Sequence, residues 1–120
     1  MAVIQNIMEN ITTWGERERV HICSWNSMGG SDEGAPLAMP ASNDRSVQVV
    51  GSFDGATVAL QGSNDGVNFS VLTDPQGISL NFNSPKIEVI TELTRFIKPV
   101  VSGGGPLCSV NVIVLVRKGD

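Results

Sequence analysis

The stretch GATVALQGSNDGVNFSVLTDPQG, residues Gly55–Gly77, decides the fold class of this chain. Apolar and polar residues alternate in two short segments on either side of an Asp65-Gly66 pair. Such a pair between alternating segments predicts a β-hairpin with a type I′ turn, because both central residues of that turn need positive φ. Asp74–Gly77, DPQG, predicts a second turn. The stretch therefore indicates a protein built from short antiparallel strands.

The same alternation continues in both directions along the chain. Together with the two segments of the opening stretch it predicts about eight strands: 19–26, 45–53, 57–61, 68–72, 78–82, 86–93, 94–101 and 108–118. A second Asp-Gly pair, Asp54-Gly55, predicts a hairpin between the second and third of them. Short strands at this spacing predict an all-β domain, either a jelly-roll or another Greek-key β-sandwich.

The last predicted strand is the most apolar. Its valines at alternate positions 110–116 share one face, and Ile113 and Leu115 occupy the opposite face. A strand that is apolar on both faces is typically covered on both sides, here by the N-terminal segment or by another subunit. Glycines and prolines interrupt the loop at 27–44, where Leu37 and Met39 either anchor the loop or touch a partner.

Residues 1–19 differ in pattern from the rest of the chain, and we name them the N-terminal arm, distinct from the β-domain at 20–120. Their apolar residues recur at helical spacing and are followed by Trp14-Gly15: Val3, Ile4, Ile7, Met8 and Ile11. The pattern predicts a short helix, with an extended arm as the alternative. A helix of this length needs packing, so the arm is expected to dock either on its own domain or on a neighbouring subunit.

Composition excludes several classes of partner. The 120 residues carry a net charge of −4, which argues against nucleic acid and anionic membranes as partners. No apolar run approaches the ~20 residues of a membrane-spanning helix, and the first residues do not resemble a signal peptide. Two buried free thiols are expected at Cys23 and Cys108, with a disulfide as the alternative.

No residue pattern in the chain indicates catalysis or a cofactor. His21 and Cys23 lie two apart in a predicted strand, which is poor geometry for a nucleophilic pair and too few ligands for a metal. The aspartates fall in predicted turns, where Asp is favoured for its local hydrogen bonds. We therefore expect a non-enzymatic protein with no catalytic residue, no metal and no cofactor.

Two segments carry a family resemblance: RSVQVVGSFDGATVALQGSNDGVNFSVLTDPQG at Arg45–Gly77 and VITELTRFIKPVVSGGG at Val89–Gly105. With the apolar last strand, they resemble capsid cement or decoration proteins of tailed bacteriophages. This resemblance implies a homo-oligomeric, dimeric or trimeric virion protein, made in the host cytoplasm, that binds the major capsid protein on the capsid exterior. The stretch LQGSNDGVNF is also similar to discoidin-like sandwiches, which implies glycan binding as the alternative, and a tail or head–tail component is a third.

Under the first hypothesis, contact with the capsid or with other copies is expected from the apolar residues that the sandwich leaves unused. These are Val3, Ile4, Ile7, Met8, Ile11, Trp14, Leu37, Met39, Ile113 and Leu115. Many modest contacts made by one oligomer add up through effective concentration.

Overall fold

The computed structural model describes residues 2–11 and 20–118 of the chain. Over these ranges the chain forms twelve β-strands: β1 (Val3–Ile4), β2 (Asn6–Ile11), β3 (Val20–Met28), β4 (Glu33–Gly34), β5 (Leu37–Ala38), β6 (Asp44–Ser52), β7 (Thr57–Ser63), β8 (Ser70–Val71), β9 (Asn81–Phe82), β10 (Lys86–Val89), β11 (Phe96–Ser102) and β12 (Ser109–Arg117). Each of the eight predicted segments overlaps one of these strands. The alternation therefore located the long strands of the β-domain, and it missed the short β4 and β5 and the two strands of the N-terminal arm.

The strands form two sheets. Five of them pair in the order β10-β6-β12-β3-β2, and the other seven follow the order β1-β4-β11-β7-β8, with β5 on β11 and β9 on β7. Neighbours that are distant in sequence lie side by side, so the chain crosses between the sheets repeatedly. The all-β sandwich predicted from the sequence is confirmed.

The core lies between the inner faces of the two sheets. Strand β12 shows the arrangement most clearly, because Val110, Val112, Val114 and Val116 are all fully buried. They meet Val58, Leu60 and Ile97 of the other sheet in one continuous apolar cluster. The predicted division of β12 into two faces is thus correct. Cys23 and Cys108 are both buried free thiols, as expected.

The N-terminal arm is extended over its described part, and the helical interpretation is wrong. Strand β1 pairs in parallel with β4, and β2 pairs antiparallel with β3. Hydrogen bonds from Glu33 N to Ala2 O (2.8 Å) and from Ala35 N to Ile4 O (2.7 Å) fix the first strand. Pairing with two sheet edges satisfies the backbone better than an isolated short helix would. The boundary after residue 19 lies outside the described residues and stays a prediction.

One predicted hairpin is confirmed, and the other is wrong. Strands β7 and β8 do pair antiparallel. Strands β6 and β7 instead belong to different sheets. The turn residues Asp54 and Gly55 have the predicted positive φ of 44° and 83°, and Ala56 N donates to Phe53 O. Because Phe53 and Ala56 are both buried, the turn carries the chain across the core from one sheet to the other.

One further segment differs from the simplest interpretation of its pattern. Strand β10 turns Ile87 and Val89 outward, because Ile87 pairs with Gln48 and Val89 with Ser46 on the outer side of β6. The core residue of this region is Ile90, which is 3% exposed. Alternation shows which residues share a face, but not which face is buried.

Candidate interaction surfaces

Metal-ligating side chains are dispersed in the part of the chain that the structure describes. Those residues contain no group of three or more metal-ligating side chains, and no described helix has the length and hydrophobicity that a membrane crossing requires. Burial raises the pKa of the Cys23 thiol to about 11. Since the thiolate is the nucleophilic form, this thiol is inert at neutral pH.

The aspartates act as caps for tight turns, as the sequence predicts. The Asp65 carboxylate accepts hydrogen bonds from Val67 N and Asn68 N, both at 2.8 Å. The Asn68 and Val67 amides are the main reason that the pKa of Asp65 lies below its ordinary value. Asp65 itself does not have positive φ, so its turn is held by this carboxylate and is not the predicted type I′ turn.

Three loops at 63–69, 72–80 and 90–95 are joined by hydrogen bonds, and we call them the loop cluster. Asn64 Oδ1 accepts from Arg95 N at 3.1 Å, which links the first loop to the third. The buried Arg45 donates to Thr94 O at 2.7 Å and to Ser42 Oγ at 2.9 Å. A buried guanidinium with satisfied hydrogen bonds fixes the loops that it contacts.

Glu92 links the second and third loops of the cluster. Its carboxylate accepts a hydrogen bond from Thr73 N at 2.8 Å and another from the Thr73 hydroxyl. Partial burial of Glu92 disfavours the charged form, but the hydrogen bonds from Thr73 outweigh it and lower the pKa below the ordinary 4.5. The charged carboxylate therefore stabilises the folded loop cluster.

We expect Glu92→Gln to lower the free energy of unfolding by about 1 kcal/mol at pH 7, because the charge-assisted hydrogen bonds to Thr73 are weakened. A lowered folded-state pKa contributes stability above the unfolded-state pKa, and this stability is lost as pH falls below it. The difference between the two proteins should therefore shrink below about pH 4.5. Urea unfolding at several pH values measures it. A difference that is independent of pH would contradict this role for Glu92.

The loop cluster displays large apolar side chains to solvent. One lies on each loop: Val67 is 79% exposed, Ile78 63% and Leu93 52%. The backbones beneath them are held by Asp65, Asp74 and Glu92. Because apolar side chains on pre-ordered loops lose little conformational entropy on binding, such a surface suits contact with another protein.

The second candidate surface is the side of the five-stranded sheet that faces away from the core, which we call the outer face. Cross-strand pairing places Ile87, Gln48, Ile113, Ser24 and Ile7 in one row. The next row contains Val89, Ser46, Leu115, Ile22 and Glu9. The exposed fractions are 61% for Ile87, 53% for Ile7, 52% for Val89 and 37% for Leu115.

The residues predicted to form an interface do not lie together. Ile7, Ile113 and Leu115 lie on the outer face, whereas Leu37 is 7% exposed and anchors its loop in the core. Of the others, Val3 and Met8 are exposed away from the outer face. Ile4 and Met39 pack partly against the core. The side chain of Ile11 and the whole of Trp14 lie outside the part of the chain that the structure describes.

The sequence interpretation missed several residues of these surfaces. The sequence pattern places Ile87 and Val89 in the predicted strand at 86–93 without showing which side faces solvent, and it does not single out Val67. The useful signal is Ile90, whose buried position one residue after Val89 shows that Ile87 and Val89 face the other way. Trp25 is fully buried, so its ring is not available for the stacking on a sugar that glycan binding would call for.

Comparison of the chain with protein-family models, with curated proteins and with solved structures gave no match.

Proposed function

We propose that this chain is a non-enzymatic structural protein of a tailed-bacteriophage virion. In this role it binds the capsid exterior and stabilises the lattice of the major capsid protein. The likeness of Arg45–Gly77 and Val89–Gly105 to cement and decoration proteins supports the virion role. A protein of this kind needs no chemistry, only surface that remains apolar after its own core is complete.

The observation that carries the proposal is the loop cluster. Its three exposed apolar residues stand on loops joined through Arg45, Asn64 and Glu92. Exposed apolar surface on ordered loops gives contact area at low entropic cost. The outer face is a separate surface, so one copy can contact the capsid and still offer apolar area to another partner.

The test is co-sedimentation of the purified chain with capsid shells, assembled from the major capsid protein of the phage that encodes this chain. We expect the wild-type chain to sediment with the shells and to raise the temperature at which they come apart. Val67→Lys should weaken binding at least about tenfold, since it places a hydrated charge in the contact. Leu107→Lys is the matched control, because Leu107 is 75% exposed but lies outside the loop cluster.

Failure of the wild-type chain to bind shells would overturn the capsid role. Binding to purified tails in its place would favour the tail or head–tail alternative. Hits on a glycan array without shell binding would favour the discoidin-like alternative. Equal loss of binding in the Val67 and Leu107 variants would remove the loop cluster from the contact.

A further inference from the structure

We propose that the outer face of the five-stranded sheet is a dimer interface, on which a second copy of this chain packs face to face. The inference deepens the proposed function and rests on it for its biological meaning, because a dimer doubles the capsid contacts carried by one particle. Four features of the outer face support a second copy as its occupant.

The first feature is the amount of uncovered apolar surface. Ile7, Ile87 and Val89 are each more than half exposed, on regular strands that are paired along their length. A sandwich normally alternates apolar residues inward with polar residues outward. Here part of the outward surface is also apolar, with Ile87 and Val89 on β10, Ile113 and Leu115 on β12 and Ile22 on β3, as in a sheet covered on both sides.

The second feature is the symmetry of the central row. From one edge of the sheet to the other it contains Ile87, Gln48, Ile113, Ser24 and Ile7. A twofold axis that passes Ile113 and runs along β12 would place Ile87 opposite Ile7 of the second copy, and Gln48 opposite Ser24. In this row, apolar residues would meet apolar residues and polar would meet polar, as suits an isologous interface.

The third feature is charge. The chain as a whole carries −4, but the central row contains no ionisable residue. The second row contains one, Glu9 of β2, which pairs with Ile22 at the edge of the sheet. In the row that follows along β12, Asp44 and Arg117 form an ion pair, 2.6 Å apart. Two copies can therefore bring their central rows together without opposing like charges, with the charged residues towards the rim of the interface.

The fourth feature is size. The five strands contain four, nine, nine, nine and six residues. At about 4.8 Å between strands and about 3.4 Å per residue, they give roughly 600 Å² of flat area. Side chains roughen this surface, so the accessible area is larger. Stable dimers of standard size bury about 800 Å² per partner. The outer face is large enough for a dimer without any other surface.

The experiment measures the mass of the full chain in solution by analytical ultracentrifugation over a range of concentrations. We expect a reversible dimer of twice the 12.7 kDa chain. Ile87→Lys with Leu115→Lys should weaken dimerisation at least about a hundredfold, because two charges would be buried without partners. Added lysines also reduce the net negative charge, so a loss of dimer cannot come from general repulsion between copies. Leu107→Lys should remain dimeric.

A second pair of variants protects the test against misfolding. Gln48→Glu is almost isosteric and places a carboxylate on the outer face. Gln61→Glu makes the same change at a half-buried position of β7 in the other sheet. We expect equal thermal stability of the two monomers, and dimerisation at least about tenfold weaker in Gln48→Glu alone.

Several outcomes would overturn the proposal: a wild-type monomer at every concentration, a trimer, a dimer that survives both outer-face changes, or equal losses in the matched controls. Shell binding separates this failure from failure of the proposed function. If the wild-type chain is a monomer that binds shells, the dimer is wrong and the capsid role stands. If it is a dimer that ignores shells, the interface is right and the capsid role fails.

Discussion

Replacement of Trp25 by alanine is expected to lower the free energy of unfolding by about 3–5 kcal/mol. Trp25 is fully buried on the inner side of β3, and it is the largest side chain in the core. Its removal leaves a cavity between two sheets that are pinned by their own pairing. Because the sheets cannot collapse freely into that space, the cost should lie near the upper part of the range.

The indole also makes a hydrogen bond that joins three parts of the chain. Its Nε1 donates to Ala35 O at 2.9 Å, just after β4. Ala35 N in turn donates to Ile4 O, which belongs to β1. Trp25→Phe keeps most of the ring but leaves Ala35 O without this donor, so we expect it to cost about 1–3 kcal/mol.

Urea unfolding followed by far-ultraviolet circular dichroism measures both variants, with Gln61→Glu, a change at a half-buried position outside the core, as the control. The expected order of stability is wild type, then Trp25→Phe, then Trp25→Ala. A Trp25→Ala protein within about 1 kcal/mol of the wild type would show that the core relaxes around the cavity. Equal losses in the two variants would show that the hydrogen bond dominates and the packing volume does not.

Much of the fold could be predicted because alternation is a local property. Strand β12 is the clearest example of this local pattern, because its valines all face the core and both Ile113 and Leu115 face outward. The turn predicted at Asp74–Gly77 is also present. The Asp74 carboxylate accepts a hydrogen bond from Ile78 N at 3.0 Å, and Gly77 has a φ of 82°. Turn chemistry of this kind depends on residues that lie together in sequence.

The errors arose where the partner of a strand is decided far away in sequence. The residues at Asp54-Gly55 specify a tight turn, but they do not specify whether the flanking strands pair. Pairing with β12 and β10 on one side, and with β11 on the other, draws β6 and β7 into different sheets. The extended conformation of the N-terminal arm has the same kind of cause, because β2 pairs with the edge of β3 and β1 pairs with β4.

The interaction surfaces were the least predictable part of the molecule. A list of leftover apolar residues mixes core anchors such as Leu37 with outward residues such as Ile7, because composition does not report burial. Only cross-strand register shows that Ile7, Ile113 and Ile87 lie in one row. The register is a tertiary property, so the sequence pattern alone could not reveal it.

The second large effect is expected from Gly30→Ala, which should lower the free energy of unfolding by about 3 kcal/mol or more. Gly30 follows β3, and its backbone lies against that of Gly104 in the loop between β11 and β12. A Cβ on Gly30 would overlap the Gly104 carbonyl group, and Gly104 N donates to Gly30 O at 3.0 Å. Overpacking against backbone is costly because no side-chain rotation can relieve it.

Gly29→Ala is the matched control for this change. A Cβ on Gly29 would lie 3.3 Å from Asp32 Oδ2, which is a side-chain atom and not backbone, and which accepts a hydrogen bond from Gly29 N at 2.7 Å. Neither glycine has positive φ, so the two substitutions differ in the atoms that they meet and not in backbone strain. We expect Gly29→Ala to stay within about 1 kcal/mol of the wild type in the same urea measurement. Equal losses at the two positions would contradict the close-approach argument.

A double variant tests whether the two glycines share one contact. A Cβ on Gly104 would lie 2.6 Å from the Cα of Gly30, so either substitution alone forces the same two segments apart. Once one added methyl group has separated the two segments, the second added methyl group overlaps less with the opposite backbone. The combined loss for Gly30→Ala with Gly104→Ala should therefore be smaller than the two single losses added together, by about 1 kcal/mol or more. Strict additivity would mean that each glycine is required by a different neighbour, such as Ala56, which lies 2.9 Å from the Cβ position on Gly104.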